Sequence, residues 1–169
     1  LGKEIAEKIS LDLEIISLRA PGIHPSGQGR QWYGLYPHDW SGAEIEVNKL
    51  LVTLKKFDTD QIPLRNTILL GFSQGAAMAI DVGFKLNLGL IVACSGYPHP
   101  TWVPGEKCPP LIVSHGSFDD VVPIEASRII YKRVKSKCST FCELIEFDGI
   151  HQIDSNLIDI VSSKISKIF

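Results

Sequence analysis

"LLGFSQGAAM", Leu69 to Met78, sets a serine between two glycines at the end of an apolar run. The residues before it, "TILLGF" (67–72), are apolar and β-branched, and those after it, "QGAAMAIDVGFKL" (74–86), are small and apolar. That pattern predicts a buried strand running directly into a helix. Gly71-Phe72-Ser73-Gln74-Gly75 then falls at the junction as G-x-S-x-G. In such a turn the serine sits on strained backbone, and the flanking glycines remove side chains that would clash there. The hydroxyl stands at a helix N-terminus, where the dipole favours negative charge. The Gln74 N–H points toward an oxyanion developing beside the serine. A glycine-rich turn without chemistry satisfies the same five residues, so the rest of the chain has to supply the partners.

Four more runs resemble the one before Ser73: "LEIISL" (13–18), "LGLIVA" (88–93), "PLIVSH" (110–115) and "CELIEF" (142–147). They are nearly continuous apolar stretches, as expected for strands buried on both faces of a parallel sheet. Helical periodicity fills the gaps. "GAEIEVNKLLVTLKKF" (42–57) puts Val47, Leu50, Leu51 and Leu54 on one face. "PIEASRIIYKRV" (123–134) opens on a first-turn proline and aligns Ala126, Ile130 and Val134. "DSNLIDIVSSKISKIF" (154–169) aligns Leu157, Val161 and Ile165 behind an Asp or Ser cap. "LGKEIAEKIS" (1–10) reads as a helix as well. The alternation predicts one α/β domain over residues 1–169, with a mainly parallel sheet and helices on both faces. Two long loops, Ala20–Ser41 and Ser95–Pro109, interrupt the rhythm. Loops of that length in a compact domain are often functional.

In open parallel sheets, ligands bind beyond the C-terminal ends of the strands. Three reactive residue types follow three predicted strands: Ser73, then Asp119 and Asp120 in "GSFDD", then His151 in "DGIH". The order Ser, Asp, His along the chain is one in which a nucleophile, its orienting acid and its base recur. An imidazole, with an ordinary pKa of ~6.5, can take a serine proton and return it to a leaving group. Spacing does not separate Asp119 from Asp120 as the acid. His115, at a strand end beside the acid loop, reads as structural. His24, His38 and His99 have no spacing that argues for a metal site, and none is expected. Trp32, Tyr33, Trp40 and Trp102 lie in or near the long loops. Of these, Trp32, Tyr33 and Trp102 are the candidates for lining an acyl pocket, with ordinary loop packing as their other use.

The chain has 169 residues and a formal net charge of −2, which gives no reason to expect nucleic-acid binding. The basic cluster in "YKRVKSK" sits where a helix should end, as the dipole favours. No apolar run approaches the ~18 residues of a membrane span. Cys94, Cys108, Cys138 and Cys142 form no C-x-x-C pair, so reduced thiols and a cytoplasmic setting are expected.

Taken together, "GFSQGAAMA", "VACSGYP", "HGSFDDVVP" and "FDGIH" resemble, in order and spacing, the carboxylesterase/phospholipase family of α/β hydrolases that includes the acyl-protein thioesterases. "LRAPGIHP" followed by "RQWYGL" is similar to that family's AP-rich loop. The resemblance runs from about Leu13 to the C-terminus. It implies Ser73 as nucleophile, His151 as base, and Asp119, the first residue of D-x-x-V-P with Val122 and Pro123, as acid. The activity implied is hydrolysis of carboxylic esters or thioesters through an acyl-enzyme, with no cofactor. The implied partner is a small ester or acylated molecule, with a homodimer as an option. A hydrolase-like binding protein without turnover, and a serine peptidase on the same fold, are the alternatives. Three departures stand out. Ala76 replaces a second glycine, and Ile150 stands where a glycine usually precedes the histidine. The sequence also opens on a helix, without the upstream strand and H-G-x-G-like turn that the family places mid-sheet. The strand bearing Ser73 is therefore expected to lack a neighbour on one side.

Overall fold

The computed structural model describes residue 7, residues 13–35 and residues 38–168. Its centre is a parallel sheet in the order β3-β4-β5-β6, formed by Ile68–Phe72, Leu90–Cys94, Leu111–Gly116 and Cys142–Phe147. A two-residue antiparallel hairpin, β1 (Gly22–Ile23) with β2 (Arg30–Gln31), lies inside the first long loop. Among the described residues the helices α1 (Trp40–Lys55), α2 (Gln74–Gly83), α3 (Glu125–Lys137) and α4 (Leu157–Ile168) accompany the sheet. The expected α/β architecture is therefore present. Apart from Glu7, which is helical, the helix expected over 1–10 lies outside the described residues.

Strand alternation divides the core in two. Ile91, Ala93, Leu111 and Val113 face α1, α2 and α3 and join Val47, Leu50, Met78, Ile80, Ile130 and Val134. Leu90, Val92, Cys94 and Ile112 face the other way, onto Leu157, Val161 and Ile165 of α4. β4 and β5 are buried along their whole length. A strand sandwiched between helical layers has no polar face to show, which explains its continuous apolar sequence.

The expected strand 13–18 is corrected. These residues are outside any sheet, and Ile15, Ile16 and Leu18 are exposed. Strand propensity reflects how well a side chain fits a pleated, half-buried surface, and a strand exists only with a ladder partner. Among the described residues β3 is paired on one side only, by β4, so its other edge is open as the sequence led us to expect.

The expectation of four reduced thiols is also corrected. Cys108 and Cys138 form a disulfide with a Cα–Cα distance of 5.6 Å, within the ordinary range. The bond fastens the end of the Ser95–Pro109 loop to the residue that follows α3. Cys94 and Cys142 are free and buried, and burial pushes their thiols up to about 12 and about 11. They are inert at neutral pH. Among the described residues no helix is long and apolar enough to cross a membrane.

The Cys108–Cys138 bond closes a span of 30 residues. Cys138→Ser, or reduction of the wild type, should cost ~3 kcal/mol of stability. Thermal melting should read this as a fall of roughly 6–12 °C. Identical melting with and without reductant, in protein that titrates four thiols throughout, would rule the bond out.

Candidate active site

The site is built around a turn that the backbone does not adopt readily. Ser73 has φ 53° and ψ −121° and forms the N-cap of α2. Positive φ in a non-glycine residue is strained and persists only where surrounding structure holds it. Here the Ser73 N–H donates to the Cys94 carbonyl at 2.8 Å, fixing the turn to the end of β4. The glycines on either side play different parts. A Cβ on Gly71 would run into the backbone of Gly75 and Ala76, whereas a Cβ on Gly75 would meet nothing within 4 Å. Only Gly71 is demanded by space. Ala76 is buried, and Gly96 makes room for it: a Cβ on Gly96 would lie 2.7 Å from the Ala76 methyl.

The Ser73 carbonyl accepts from the N–H groups of Ala76 and Ala77, so α2 is hydrogen-bonded from its first turn. The N–H groups of Gln74 and Gly75, ahead of them, have no intrahelical partner. They form the positive end of the helix beside the Ser73 hydroxyl.

β5 and β6 bring the other two side chains to the same edge. The Ser117 N–H donates to the Phe147 carbonyl at 2.8 Å, and the Phe118 N–H to the Gly149 carbonyl at 2.9 Å. Gly116 permits this approach, because a Cβ there would strike the Gly149 and Ile150 carbonyls. Ile150 is exposed, and it is absent from the described non-glycine residues with positive φ, which are Ser73, Ser95 and Cys108. The position before His151 therefore does not need a glycine.

Between these loops His151 Nε2 lies 3.0 Å from Ser73 Oγ, and its Nδ1 lies 2.8 Å from Asp119 Oδ2. A carboxylate only accepts, so Nδ1 carries the proton and the Nε2 lone pair faces the serine hydroxyl. The Phe72 ring packs against the imidazole with centroids 4.8 Å apart. Asp119 Oδ1 accepts from the N–H groups of Val121 at 3.0 Å and Val122 at 2.8 Å. Loss of solvent works to raise the Asp119 carboxyl's pKa. The Val122 N–H, His151 and the Val121 N–H outweigh it and hold the group below the usual carboxylate range. Asp120 is exposed and stands outside this cluster.

A groove of about 460 Å³ opens beside Ser73, walled by Leu18, Leu35, Trp32 and Phe72, with Arg19 and Arg30 along it. Of the candidates for the acyl pocket, Trp32 lines the groove. Tyr33 is buried behind it, and Trp102 lies in the core edge-on to Phe84. No local pattern in the sequence marks the first tie that holds the loop. The buried Gln74 side chain accepts from the Trp32 N–H at 2.8 Å and donates to the Tyr33 carbonyl at 2.9 Å. A second tie runs from α2 through both long loops. Asp81 Oδ2 meets His99 Nδ1 at 2.8 Å, and His99 Nε2 meets the Tyr33 hydroxyl at 2.9 Å. Burial, then the adjacent Tyr97 hydroxyl, pushes the Tyr33 phenol far up, so it stays protonated. One signal for this tie was available: Asp81 is the lone charged residue in "QGAAMAIDVG".

Residues 6–169 match the family described as phospholipase/carboxylesterase. Over 140 residues the chain is 30% identical to acyl-protein thioesterase 1 homolog 1 of Dictyostelium discoideum, covering 76% of this chain and 62% of that protein. The chain thus spans about three fifths of the length of the curated relatives it matches. Esterase PE8 superposes with a TM-score of 0.76 at 26% identity, covering 89% of this chain and 76% of that one. The Bacillus cereus carboxylesterase superposes with a TM-score of 0.81 at 14% identity, covering 98% and 80%. At that identity the likeness speaks for the fold, which is that of an α/β hydrolase.

The unequal glycines give a direct test. Gly71→Ala should lower the melting temperature strongly or prevent folding, because the obstructing atoms are backbone. Gly75→Ala should be neutral or stabilising by up to ~1 kcal/mol, since alanine suits a helix better than glycine. Equal destabilisation by the two, measured by thermal melting, would contradict this account of the turn.

Proposed function

The chain belongs to the phospholipase/carboxylesterase family, and from that premise we propose that it is a serine hydrolase of carboxylic esters or thioesters, working through an acyl-enzyme. One observation carries the reading: a single imidazole sits 3.0 Å from Ser73 Oγ and 2.8 Å from Asp119 Oδ2. A hydroxyl is a weak nucleophile until a base takes its proton.

In this reading Ser73 Oγ attacks the carbonyl carbon while His151 Nε2 takes the hydroxyl proton. The carbonyl π electrons move to oxygen, and the Gln74 N–H donates to the resulting oxyanion. Asp119 holds the Nδ1–H tautomer and balances the imidazolium. When the tetrahedral intermediate collapses, the bond to the alcohol or thiol breaks, and His151 returns the proton to the departing group. Water then repeats the sequence on the acyl-serine and regenerates the Ser73 hydroxyl. The apolar walls of the groove suit an acyl chain. The partner is a small ester or acylated molecule, and nucleic-acid binding has no part in the proposal. The cytoplasmic setting rested on reduced cysteines, and the Cys108–Cys138 bond removes that argument.

The alternative reading is a binding protein without turnover; among the described residues, the free N–H groups beside Ser73 are those at the start of α2. A fluorophosphonate probe and a panel of esters and thioesters of graded acyl length separate the two readings. The probe should label Ser73, and Ser73→Ala should lose activity by on the order of 10⁴–10⁶-fold. Asp119→Asn should cost roughly 10⁴ in kcat, with Asp120→Asn far milder. Because Asp119 is held below the usual carboxylate range, it loses its charge only when the pH falls through that lowered value. Hence kcat/KM should rise with pH, since only a neutral imidazole can take the serine proton. A flat profile in folded protein, or labelling without turnover, would defeat the hydrolase reading.

A further inference from the structure

We propose that His115 is a positioning residue for the acid of this site, holding the Val122 peptide whose N–H fixes the Asp119 carboxylate. The proposal rests on the assignment of Ser73, His151 and Asp119 made above.

His115 belongs to β5 and is completely buried. Its Nε2 lies 2.8 Å from the Val122 carbonyl oxygen and 3.2 Å from Asp119 Oδ2. Both of those atoms can only accept, so Nε2 carries the proton. Its Nδ1 lies 2.6 Å from Ser127 Oγ on α3, and in the neutral ring that nitrogen accepts the serine proton. Both ring nitrogens are thus satisfied, and both bonds lead into the acid loop or the helix behind it. Apolar contact alone does not require an imidazole here, since a buried polar side chain is costly unless each of its groups is paired.

The arrangement closes on a single peptide. Val122 gives its N–H to Asp119 Oδ1 and its carbonyl to His115. Asp119 Oδ2, the oxygen that faces His151 at 2.8 Å, also lies beside His115. The Nε2–H of His115 is spent on the Val122 carbonyl, so His115 acts on the acid through that peptide, with Asp119 Oδ2 nearby at 3.2 Å. The other charged group facing His115 is Glu146, opposite it on β6, and Arg128 of α3 engages both Glu146 oxygens at 2.7 Å. Glu125 approaches the same guanidinium at 3.2 Å. The Arg128 bonds that pin Glu146 do not involve His115.

One consequence separates positioning from mere packing. Without the His115 N–H the Val122 carbonyl loses its buried donor, and the peptide that holds Asp119 Oδ1 is no longer fixed. The acid and the base it orients are then less well placed, and kcat falls while KM changes little.

The experiment compares His115→Leu with His115→Gln, whose amide N–H can still reach the Val122 carbonyl and Asp119. Each is measured on one ester, with kcat normalised to sites titrated by fluorophosphonate. His115→Leu should lower kcat on the order of 10–100-fold with KM little changed. His115→Gln should recover most of that loss. If leucine lowers only the melting temperature, and the titrated sites keep their kcat, His115 is a packing residue and the proposal falls. Should the leucine variant not fold, histidine ¹⁵N spectra of the wild type decide: His115 must be the Nε2–H tautomer at pH 7, and an Nδ1–H tautomer overturns the proposal. Failure of Ser73 to label overturns the hydrolase reading and this inference with it. Normal labelling of His115→Leu with an unchanged kcat overturns this inference alone.

Discussion

The Ser73 N–H, bonded to the Cys94 carbonyl, holds a residue at φ 53° that would relax if released. Much of the site depends on that constraint. It bends the chain from β3 into α2 within one residue, so the helix N-terminus arrives at the sheet edge rather than beyond it. The bend is possible because Gly71 lets the Gly75 carbonyl approach its α-carbon. Strain of ~1–3 kcal/mol at one residue is tolerable only where the surroundings are rigid. Here the surroundings are two strands buried on both faces and a helix whose residues are nearly all buried.

A rigid turn fixes one atom; the remaining geometry comes from loops pinned to it. The loops after β5 and β6 are tied together through Gly116 and two backbone hydrogen bonds, which carries Asp119 and His151 as one unit. The loops before α1 and after β4 are pinned to α2 by Gln74 and by the Asp81–His99–Tyr33 series. These are buried polar links. Each contributes little net stability when whole, yet removing one partner leaves a desolvated group that costs ~1–3 kcal/mol. Such links set position more than they add stability, and the groove wall formed by Trp32 depends on them. α2 therefore serves as the reference for the hydroxyl and for the groove alike.

Among the described residues one edge of β3 has no ladder partner. Residues 13–18 have the composition of a strand and pair with nothing among the described residues, leaving Ile15 and Ile16 exposed. Strand-like sequence states which surface a segment would suit, and a ladder needs backbone groups at the right spacing to accept it. The relatives that this chain matches are longer than the chain itself.

Local pattern was enough for the sequence to determine the parallel sheet, the helices on its two faces, and the strand-to-helix turn at Ser73. Apolar runs, helical periodicity and glycine placement are each written within a few residues. It also placed serine, acid and histidine at one sheet edge, because parallel strands all end on the same side. Tertiary structure decided what depends on contacts between distant residues. Spacing does not separate the adjacent Asp119 and Asp120; the D-x-x-V-P resemblance implied Asp119, and the approach of the His151 loop puts that carboxylate beside the imidazole. The link between Gln74 and Trp32 crosses 42 residues, and no local pattern encodes it. The Cys108–Cys138 bond spans 30 residues, and the missing ladder at 13–18 depends on which backbone lies beside it. Periodicity records which face a residue buries. It does not record what that face meets, because the meeting is settled only when the strands and helices have packed.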